Sequence, residues 1–272
     1  MRTLSFDKYE GLGNDFVLVR DSAWFSSSDR VRALCDRHLG VGADGILFTG
    51  LERGRPFMRV VNADGSTAEM CGNGLRCVAL YLVRRGVVQE RSFEIDTDAG
   101  PHRVRVIDAG SSGWVEVSMR APSFRASDIP VLADSPIIDS ELFDGIRWTA
   151  VSMGNPHLVT FDVGDDERLS LATRMQSDVR FPQSVNVGFA EMKDSRHLAL
   201  HVHERGVGFT RACGTGACAA AAAAVETRRA SRGVPLEVRL PGGTLEITVC
   251  EPGERVLMKG PARHVFSGEI AF

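Results

Sequence analysis

The sequence predicts an α+β fold of two pseudo-symmetric lobes, each a curved, mostly antiparallel sheet around one central helix. The first observation is that residues 68–74 (AEMCGNG) and 210–216 (TRACGTG) are near copies: each sets a cysteine directly before a Gly-x-Gly turn that leads into a stretch rich in alanine and leucine. The second is that a shift of about 142 residues, the separation of Cys71 and Cys213, aligns further segments. Equivalent loops of two such copies would meet across a pseudo-two-fold cleft, so we expect the active site there.

The aligned segments run through most of both halves. Residues 13–18 fall near 154–159, and residues 59–63 fall on 201–205, nine residues before each cysteine. Solenoid repeats have periods of about 20–50 residues, so this period is far too long for one. It describes two copies of one half-domain.

Short β-branched segments bounded by Gly, Asp or Asn predict the strands. They are residues 16–20, 46–49, 57–62, 93–97, 103–107 and 114–118. Helical spacing predicts the central helices at residues 75–85, ending at Gly86, and at residues 217–229, ending near Gly233. Residues 28–38 fit an additional amphipathic helix.

A Ser-, Asp- and Pro-rich stretch at residues 122–144 predicts the connector between the halves. We therefore assign residues 1–121 to an N-terminal lobe that carries Cys71. Residues 122–272 form the connector and a C-terminal lobe that carries Cys213. This division leaves room for about the last ten residues to pack back on the first lobe.

Composition places the chain among ordinary globular proteins. It has 272 residues, 43% of them hydrophobic and 25% charged, with a formal charge of −3. This small negative net charge does not indicate binding to nucleic acid or to an acidic membrane. The first residues lack the apolar core of a signal peptide, and the longest apolar run, residues 217–225, is too short to span a bilayer. Six cysteines without small-scaffold spacing indicate reduced thiols, so we expect a cytoplasmic protein.

The paired cysteines carry the chemical prediction. A thiol at a helix N-terminus lies beside unpaired N–H groups and the positive end of the helix dipole, which favours the thiolate. Inversion of a carbon with an acidic hydrogen needs a base on one face and an acid on the other, and a thiolate/thiol pair can supply both. The N–H groups of the two Gly-x-Gly turns can bind the carboxylate beside that carbon. The alternative is two buried structural thiols.

At this point the chain resembles a known family, the diaminopimelate epimerases, from end to end. The resemblance rests on GLGNDF at residues 11–16, NADGS at 62–66, MCGNGLRC at 70–77, SMGNPH at 152–157, VNVGF at 185–189, ERG at 204–206 and ACGTGAC at 212–218. It implies a cofactor-independent enzyme, without a metal, that interconverts LL- and meso-2,6-diaminopimelate on the route to lysine and peptidoglycan. It also implies a homodimer, although Phe266 stands where a tyrosine often supports dimerisation.

The same resemblance implies roles for individual residues. Cys71 and Cys213 would be the acid/base groups, with His157 and Glu204 flanking them and setting their protonation. The substrate would be held by the side chains of Asn14, Asn62, Asn155, Asn186, Glu204 and Arg205 and by the backbone N–H groups of Gly72, Asn73, Gly214 and Thr215. These types suit a substrate with two ammonium and two carboxylate groups, because arginine can clamp a carboxylate while Glu and Asn oxygens accept from ammonium.

Several alternatives stay open. A proline racemase-like enzyme would share the opposed cysteines without needing Arg205. A pyridoxal-dependent racemase is disfavoured because none of the lysines that could form the Schiff base, Lys8, Lys193 and Lys259, lies in a recognisable site. A thiol redox or metal-binding protein is the third class.

Other patterns are set aside. Residues 40–45 match G-x-G-x-x-G but lead into a strand rather than a helix, so they fail as a dinucleotide site. Gly45 stands where some relatives have a substrate-contacting glutamine. We interpret Cys77 and Cys218 as core residues and do not expect His201 and His203 to bind zinc.

Overall fold

The computed structural model describes residues 3–20, 27–68, 70–110 and 112–271, so Glu69 of the first repeated motif lies outside the described residues. The chain forms two compact units. The first comprises Met1–Ser118 together with Lys259–Phe272, and the second comprises Met119–Met258. The division thus falls after residue 118, where the sequence interpretation placed it after residue 121.

The first unit is a sheet with two helices. Its strands are β1 (Thr3–Gly11), β2 (Asn14–Val19), β3 (Gly45–Glu52), β4 (Arg55–Asn62), β5 (Thr67–Ala68), β6 (Ser92–Thr97), β7 (Gly100–Asp108) and β8 (Ser112–Ser118), and its helices are α1 (Ser28–Cys35) and α2 (Gly72–Arg84). The pairs β1/β2, β3/β4, β6/β7 and β7/β8 are antiparallel. The pairs β2/β3 and β4/β6 are parallel.

The second unit repeats this topology. Its strands are β9 (Ser140–Phe143), β10 (Ile146–Ser152), β11 (Pro156–Thr160), β12 (Asn186–Asp194), β13 (His197–Glu204), β14 (Gly208–Phe209), β15 (Leu236–Leu240) and β16 (Gly243–Val249), and its helices are α3 (Arg168–Gln176) and α4 (Gly214–Glu226). Antiparallel β10/β11, β12/β13 and β15/β16 alternate with parallel β11/β12 and β13/β15. The pairings from β10/β11 to β15/β16 repeat those from β1/β2 to β6/β7 in order and direction, as the predicted duplication requires.

A last strand, β17 (Val256–Ala271), runs on into the first unit. It pairs antiparallel with β1, in a register from Thr3 opposite Ala271 to Glu10 opposite Arg263.

Each unit holds one central helix. Helix α2 contacts β1–β4, β7 and β8, and α4 contacts β10–β13, β15 and β16. A helix that is apolar all round is buried all round, and every residue of the run Ala219–Ala224 is buried. Alanine lets the surrounding strands approach the helix closely. The predicted fold class, two sheet-rich halves around central helices, is confirmed.

Some boundaries differ from the predictions. Both central helices begin earlier than predicted, because the Gly-x-Gly segments form their first turns. Helix α4 ends at Glu226 rather than residue 229, because Arg228 adopts a left-handed backbone with φ of 61°. Helix α1 is shorter than predicted and ends at Cys35.

The sequence analysis missed strand β1. Its apolar alternation is interrupted by the buried pair Asp7 and Lys8. Both charges are neutralised in the fold: Asp7 pairs with Arg85, which is distant in sequence, and Lys8 pairs with Asp15 on the adjoining strand β2.

Candidate active site

Cys71 is the N-cap of α2. Its backbone is extended (φ −139°, ψ 113°), and its Sγ accepts a hydrogen bond from the Gly74 N–H at 3.3 Å. The thiol is partly buried. An N–H donor aimed at sulfur stabilises negative charge on it, which is the usual environment of a reactive cysteine.

One asparagine side chain lies beside this sulfur, and another stands at the end of β4. Asn14 opens β2, and its Oδ1 lies 4.0 Å from the Cys71 Sγ and accepts a hydrogen bond from Asn73 Nδ2 at 3.2 Å. Asn62 closes β4, where its Nδ2 donates to Ser66 Oγ at 2.9 Å. The amide groups of these two strand ends are therefore fixed within the first unit.

Gly45 lies directly opposite Asn62 in the β3/β4 pair. A Cβ built at Gly45 would come within 2.7 Å of the Val61 carbonyl oxygen. Real Cβ atoms do not approach a backbone oxygen so closely, so in this chain a side chain at this position would require the backbone of β4 to move.

Cys213 is the N-cap of α4 and is 5% exposed. Burial raises the pKa of the Cys213 thiol above its ordinary value, and the nearby Glu204 carboxylate raises it further. The Thr215 hydroxyl, 3.7 Å from the sulfur, and the Gly216 backbone lower this pKa without offsetting the increase. Cys213 therefore holds its proton at neutral pH.

Glu204 is held in place by a neighbour that the sequence analysis did not assign. The Thr210 hydroxyl donates a hydrogen bond to Glu204 Oε1 at 2.5 Å. Thr210 opens the repeated motif that ends at Gly216, so its position in that motif was the available signal.

His157 is connected to Cys213 through the side chains of Asn155 and Thr215. The His157 ring is 1% exposed, and burial, assisted by the positive charge of Arg205, lowers the pKa of His157 to about 3. The imidazole is therefore neutral, and its Nε2–H donates to Asn155 Oδ1 at 3.0 Å, because an amide oxygen can only accept. Asn155 Nδ2 in turn donates to Thr215 Oγ1 at 3.3 Å.

Asn186 and Arg205 lie at neighbouring strand ends in the second unit. Asn186 is buried, donates to the Pro156 carbonyl at 2.9 Å and accepts from the Arg205 N–H at 2.9 Å. The Arg205 side chain is exposed and donates to the Gln183 carbonyl at 2.6 Å. Its guanidinium is thus attached on one side and still has N–H groups for a ligand.

The second glycine of each Gly-x-Gly turn has a packing role. A Cβ at Gly74 would come within 3.1 Å of Leu47, and one at Gly216 within 2.9 Å of Val202 and 3.1 Å of the Cys213 Sγ. These glycines therefore let the first helical turn approach the neighbouring strand. The backbone N–H groups of Gly72, Asn73, Gly214 and Thr215 all belong to the first turns of α2 and α4, where helices carry unpaired donors.

The remaining candidates are easily placed. Cys77 and Cys218 are fully buried, and all six cysteines are thiols. His201 accepts from Arg168 at 2.9 Å, and His203 packs edge-on against Phe209. Across the described ranges, no group of three or more His, Cys, Asp or Glu side chains is arranged to hold a metal ion. In the same ranges, no helix has both the length and the apolar character needed to cross a bilayer.

Comparison with known proteins identifies the family. The family model for diaminopimelate epimerase matches residues 6–124 and 149–265. Diaminopimelate epimerases of Synechocystis and Desulforudis audaxviator are 42% and 43% identical to this chain, covering 98% of it and 98% and 99% of their own lengths. A chloroplastic diaminopimelate epimerase of rice is 42% identical, over 98% of this chain and 80% of its own length.

Solved structures share the fold at lower identity. A phenazine biosynthesis protein of the PhzF family from Bacillus anthracis has a TM-score of 0.75 at 18% identity, covering all of both chains. A probable proline racemase from Agrobacterium radiobacter has a TM-score of 0.68 at 16% identity, covering 99% of this chain and 93% of its own. At such identity these structures support the two-unit fold alone, whereas the sequence relatives define the family. The chain belongs to the diaminopimelate epimerase family.

Proposed function

We propose that this protein interconverts LL- and meso-2,6-diaminopimelate, on the route to lysine and peptidoglycan precursors, with Cys71 and Cys213 as the two acid/base groups. The observation that carries the proposal is that both thiols cap equivalent helices with a first-turn N–H beside them, that of Gly74 at Cys71 and that of Gly216 at Cys213. Cys213 in addition lies beside the Glu204 carboxylate, which favours its protonated form. A pair with one thiolate and one thiol is the state that inversion requires.

The protonation of Cys213 fixes the order of events from the resting enzyme. The Cys71 thiolate takes the α-hydrogen as a proton, and the electron pair of the broken C–H bond stays on the substrate. The Cys213 thiol then delivers its proton to the opposite face of the carbon. Each turnover leaves the proton on Cys71 and the negative charge on Cys213, and either the reverse reaction or proton exchange with solvent restores the resting state.

The negative charge that develops needs stabilisation. The first-turn N–H groups at Gly72, Asn73, Gly214 and Thr215 are donors suited to the α-carboxylate, since helix N-termini bind anions. These donors are already in place and need no reorganisation during the reaction.

Several of the polar side chains described above suit the rest of the substrate. Oxygens of Asn14, Asn62 and Glu204 can accept from the ammonium groups, and the exposed Arg205 guanidinium can pair with the distal carboxylate. Asn155 and Asn186 complete the set. His157 acts on this site by orienting Asn155, as their hydrogen bond indicates.

The direct test is the exchange of the α-hydrogen of LL-diaminopimelate in deuterated water. We expect the parent enzyme to incorporate deuterium and to form the meso isomer. Cys71→Ala and Cys213→Ala should each abolish epimerisation, because inversion needs both faces served. Cys250→Ala, at a thiol that donates to the Thr248 carbonyl, is the matched control and should retain activity. Normal epimerisation by either of the first two variants would refute the mechanism.

A second test separates this proposal from a proline racemase-like activity. Arg205→Ala should lower kcat/KM for diaminopimelate by at least about tenfold, because the distal carboxylate loses a charge-assisted partner. Arg239→Ala, at an exposed arginine of β15, is the control and should stay near the parent value. Racemisation of proline as efficient as that of diaminopimelate would show that the substrate assignment is wrong.

We further propose that the enzyme works as a cytoplasmic homodimer. The supporting feature is an exposed apolar pair on β17, where Val265 and Phe266 are 46% and 45% exposed and Phe266 packs edge-on against Phe6. Sedimentation of the parent protein and of Phe266→Asp would test it. A monomeric parent would contradict the assignment.

A further inference from the structure

A continuous chain of polar side chains runs past Cys71. Asp44 Oδ2 accepts from Asn14 Nδ2 at 2.7 Å, and Asn14 Oδ1 accepts from Asn73 Nδ2 at 3.2 Å. Asn73 Oδ1 then accepts from Arg76 Nη2 at 2.9 Å. Asp44 precedes β3, and Arg76 lies in the first turns of α2.

The two ends of this chain have fixed polarity. A carboxylate can only accept and a guanidinium can only donate, whereas an amide can turn over and exchange its oxygen for its nitrogen. Arg76 therefore requires the oxygen of Asn73, and Asp44 requires the nitrogen of Asn14. The contact between the two amides then pairs a donor with an acceptor, so both ends require the same orientation.

Both ends are themselves anchored. Arg76 is 0% exposed, and its Nε donates to the Pro261 carbonyl at 3.1 Å. Asp44 Oδ1 accepts from Arg37 at 2.7 Å, and its Oδ2 also accepts from the Asp15 N–H at 3.1 Å. The amides are thus held between groups that cannot rotate freely.

This orientation decides which atom of Asn14 faces the thiol. Oδ1 lies 4.0 Å from the Cys71 Sγ, the outer limit of a sulfur hydrogen bond. With Oδ1 in this place, an S–H or a substrate ammonium finds an acceptor beside the sulfur. If Asn14 turned over, its Nδ2 would repel the ammonium and donate to the sulfur instead.

We propose that Asp44 and Arg76 are positioning residues: from opposite ends of one hydrogen-bonded chain, they fix the amides of Asn14 and Asn73 so that the carbonyl oxygen of Asn14 faces Cys71. This inference rests on the proposed role of Cys71 as an acid/base group. Neither positioning residue was assigned a role by the sequence analysis. Asp44 lies in the Gly-rich segment set aside as a failed dinucleotide motif, and Arg76 lies in the family motif at residues 70–77.

In the variant Asn73→Asp, the Asp44 end and the Arg76 end of the chain require opposite orientations of the Asn14 amide. The substitution keeps the size of the side chain, its backbone N–H and its pairing with Arg76, but it turns an oxygen toward Asn14 Oδ1. Asn14 must then either keep that repulsive contact or turn its own oxygen toward Asp44. We expect kcat/KM to fall about 10- to 100-fold, as misplacement of substrate-contacting groups commonly does, together with a lower Tm.

The double variant Asn73→Asp/Asp44→Asn restores the chain in reverse. The new Asn at position 44 can donate to Asn14 Oδ1, and Asn14 Nδ2 can donate to the new carboxylate, with the net charge of the parent. The Asp15 N–H and Arg37 lose part of their pairing with position 44, so we expect Tm to recover only part of what Asn73→Asp lost. We expect kcat/KM to stay low, because the nitrogen of Asn14 now faces Cys71. Recovery of kcat/KM together with Tm would show that the chain is only structural and would overturn the proposal. Full activity of Asn73→Asp would overturn it as well.

The arginine end has its own matched pair. Arg76→Lys keeps the charge but cannot reach several oxygens with one fork, so kcat/KM should fall about tenfold. Arg84→Lys, on the same helix, removes a hydrogen bond to the Gly110 carbonyl and should stay near the parent value. Equal activity of the two variants would remove Arg76 from the proposal.

A readout that does not depend on turnover separates this inference from the proposed function. Alkylation by iodoacetamide, followed by mass mapping, reports the thiolate character of Cys71, while buried Cys77 reports unfolding. In the double variant Cys71 should react at least about threefold faster than in the parent, because an N–H donor stabilises the thiolate, and Cys77 should stay unmodified. An unchanged rate at Cys71 would overturn the inference. A Cys71→Ala variant that still epimerised would instead refute the proposed function.

Discussion

The sites around Cys71 and Cys213 have the same backbone and different polar side chains. Each cysteine has an extended backbone and caps a helix with a Gly-x-Gly first turn, and both helices are 13 residues long. The repeat aligns Asn62 with Glu204, so an amide in the first unit corresponds to a carboxylate in the second. Duplication therefore supplied two equivalent positions for a thiol, and the residues around them have since diverged.

A second aligned pair reinforces this contrast. Position 76 in α2 is a fully buried arginine, and its counterpart in α4 is Cys218. A buried guanidinium in α2 therefore stands where α4 has a buried thiol, so the two helices differ in charge close to their N-termini. Under the proposed mechanism, such differences let the two cysteines begin a turnover in different protonation states.

The largest expected effect comes from removing the negative charge of Glu204 beside Cys213. Glu204→Gln should lower the raised pKa of Cys213, because the carboxylate charge contributes to it after burial. Alkylation of Cys213 should then begin at lower pH, and kcat should fall on the order of 100-fold, within the range for a general acid. Glu237→Gln, at an exposed carboxylate of β15, is the control. An unchanged alkylation profile would mean that the two sites do not differ in the way described.

An intermediate effect concerns His157, which has no equivalent around Cys71. Its pKa is lowered from 6.5 to about 3 by burial and by the positive charge of Arg205. Between these two values the histidine is protonated in the unfolded chain but neutral in the folded protein. The free energy of unfolding should therefore decrease as the pH is lowered below 6.5, by about 1.4 kcal/mol per pH unit for this residue alone.

His157→Gln should flatten this pH dependence in urea unfolding between pH 7 and 5, since glutamine does not titrate and can still donate to Asn155. Activity should fall modestly, because the orientation of Asn155 is partly retained. A parent protein equally stable at both pH values would contradict the neutral, buried imidazole.

The smallest expected effect is a difference between Gly74 and Gly216, the second glycine of each Gly-x-Gly turn. An added methyl at Gly216 would press on the Cys213 sulfur at 3.1 Å and on Val202, whereas at Gly74 the nearest atoms belong to the flexible end of Leu47. Gly216→Ala should therefore lose more activity than Gly74→Ala, although both should lose about 1–3 kcal/mol of stability by overpacking. Kinetics and denaturation of both variants would check this order, and a reversed order would show that the second site is the more tolerant.

Much of this organisation could be predicted from the sequence, for a physical reason. Cysteine, glycine and alanine at fixed spacing reflect local requirements of a helix N-terminus and a buried helix, and the duplication doubled that signal. Pairs far apart in sequence could not be predicted. Asp7, which pairs with Arg85, made β1 look like a polar segment, and the contact of Asn14 with Asp44 gives a proposed role to a segment whose Gly-rich pattern suggested another.

The end of α4 is a local feature that the sequence alone did not predict correctly. Gly233 was the evident stop signal, but the chain leaves the helix through Arg228 in a left-handed conformation. A non-glycine residue at such a position is recognisable only from the backbone. Likewise, the sequence alone could not distinguish a histidine beside a thiol from one acting through Asn155 and Thr215.

The pairing of β17 with β1 has a consequence for the order of synthesis and folding. Residues 119–258 form a continuous unit, whereas the first unit needs residues 259–271, which are translated after all of the second. The second unit can thus mature on the ribosome while β1 still waits for its antiparallel partner, leaving an open strand edge on the nascent protein. Slow translation near residue 258 would prolong that exposure, making this stretch of the message a sensitive point for the yield of soluble enzyme.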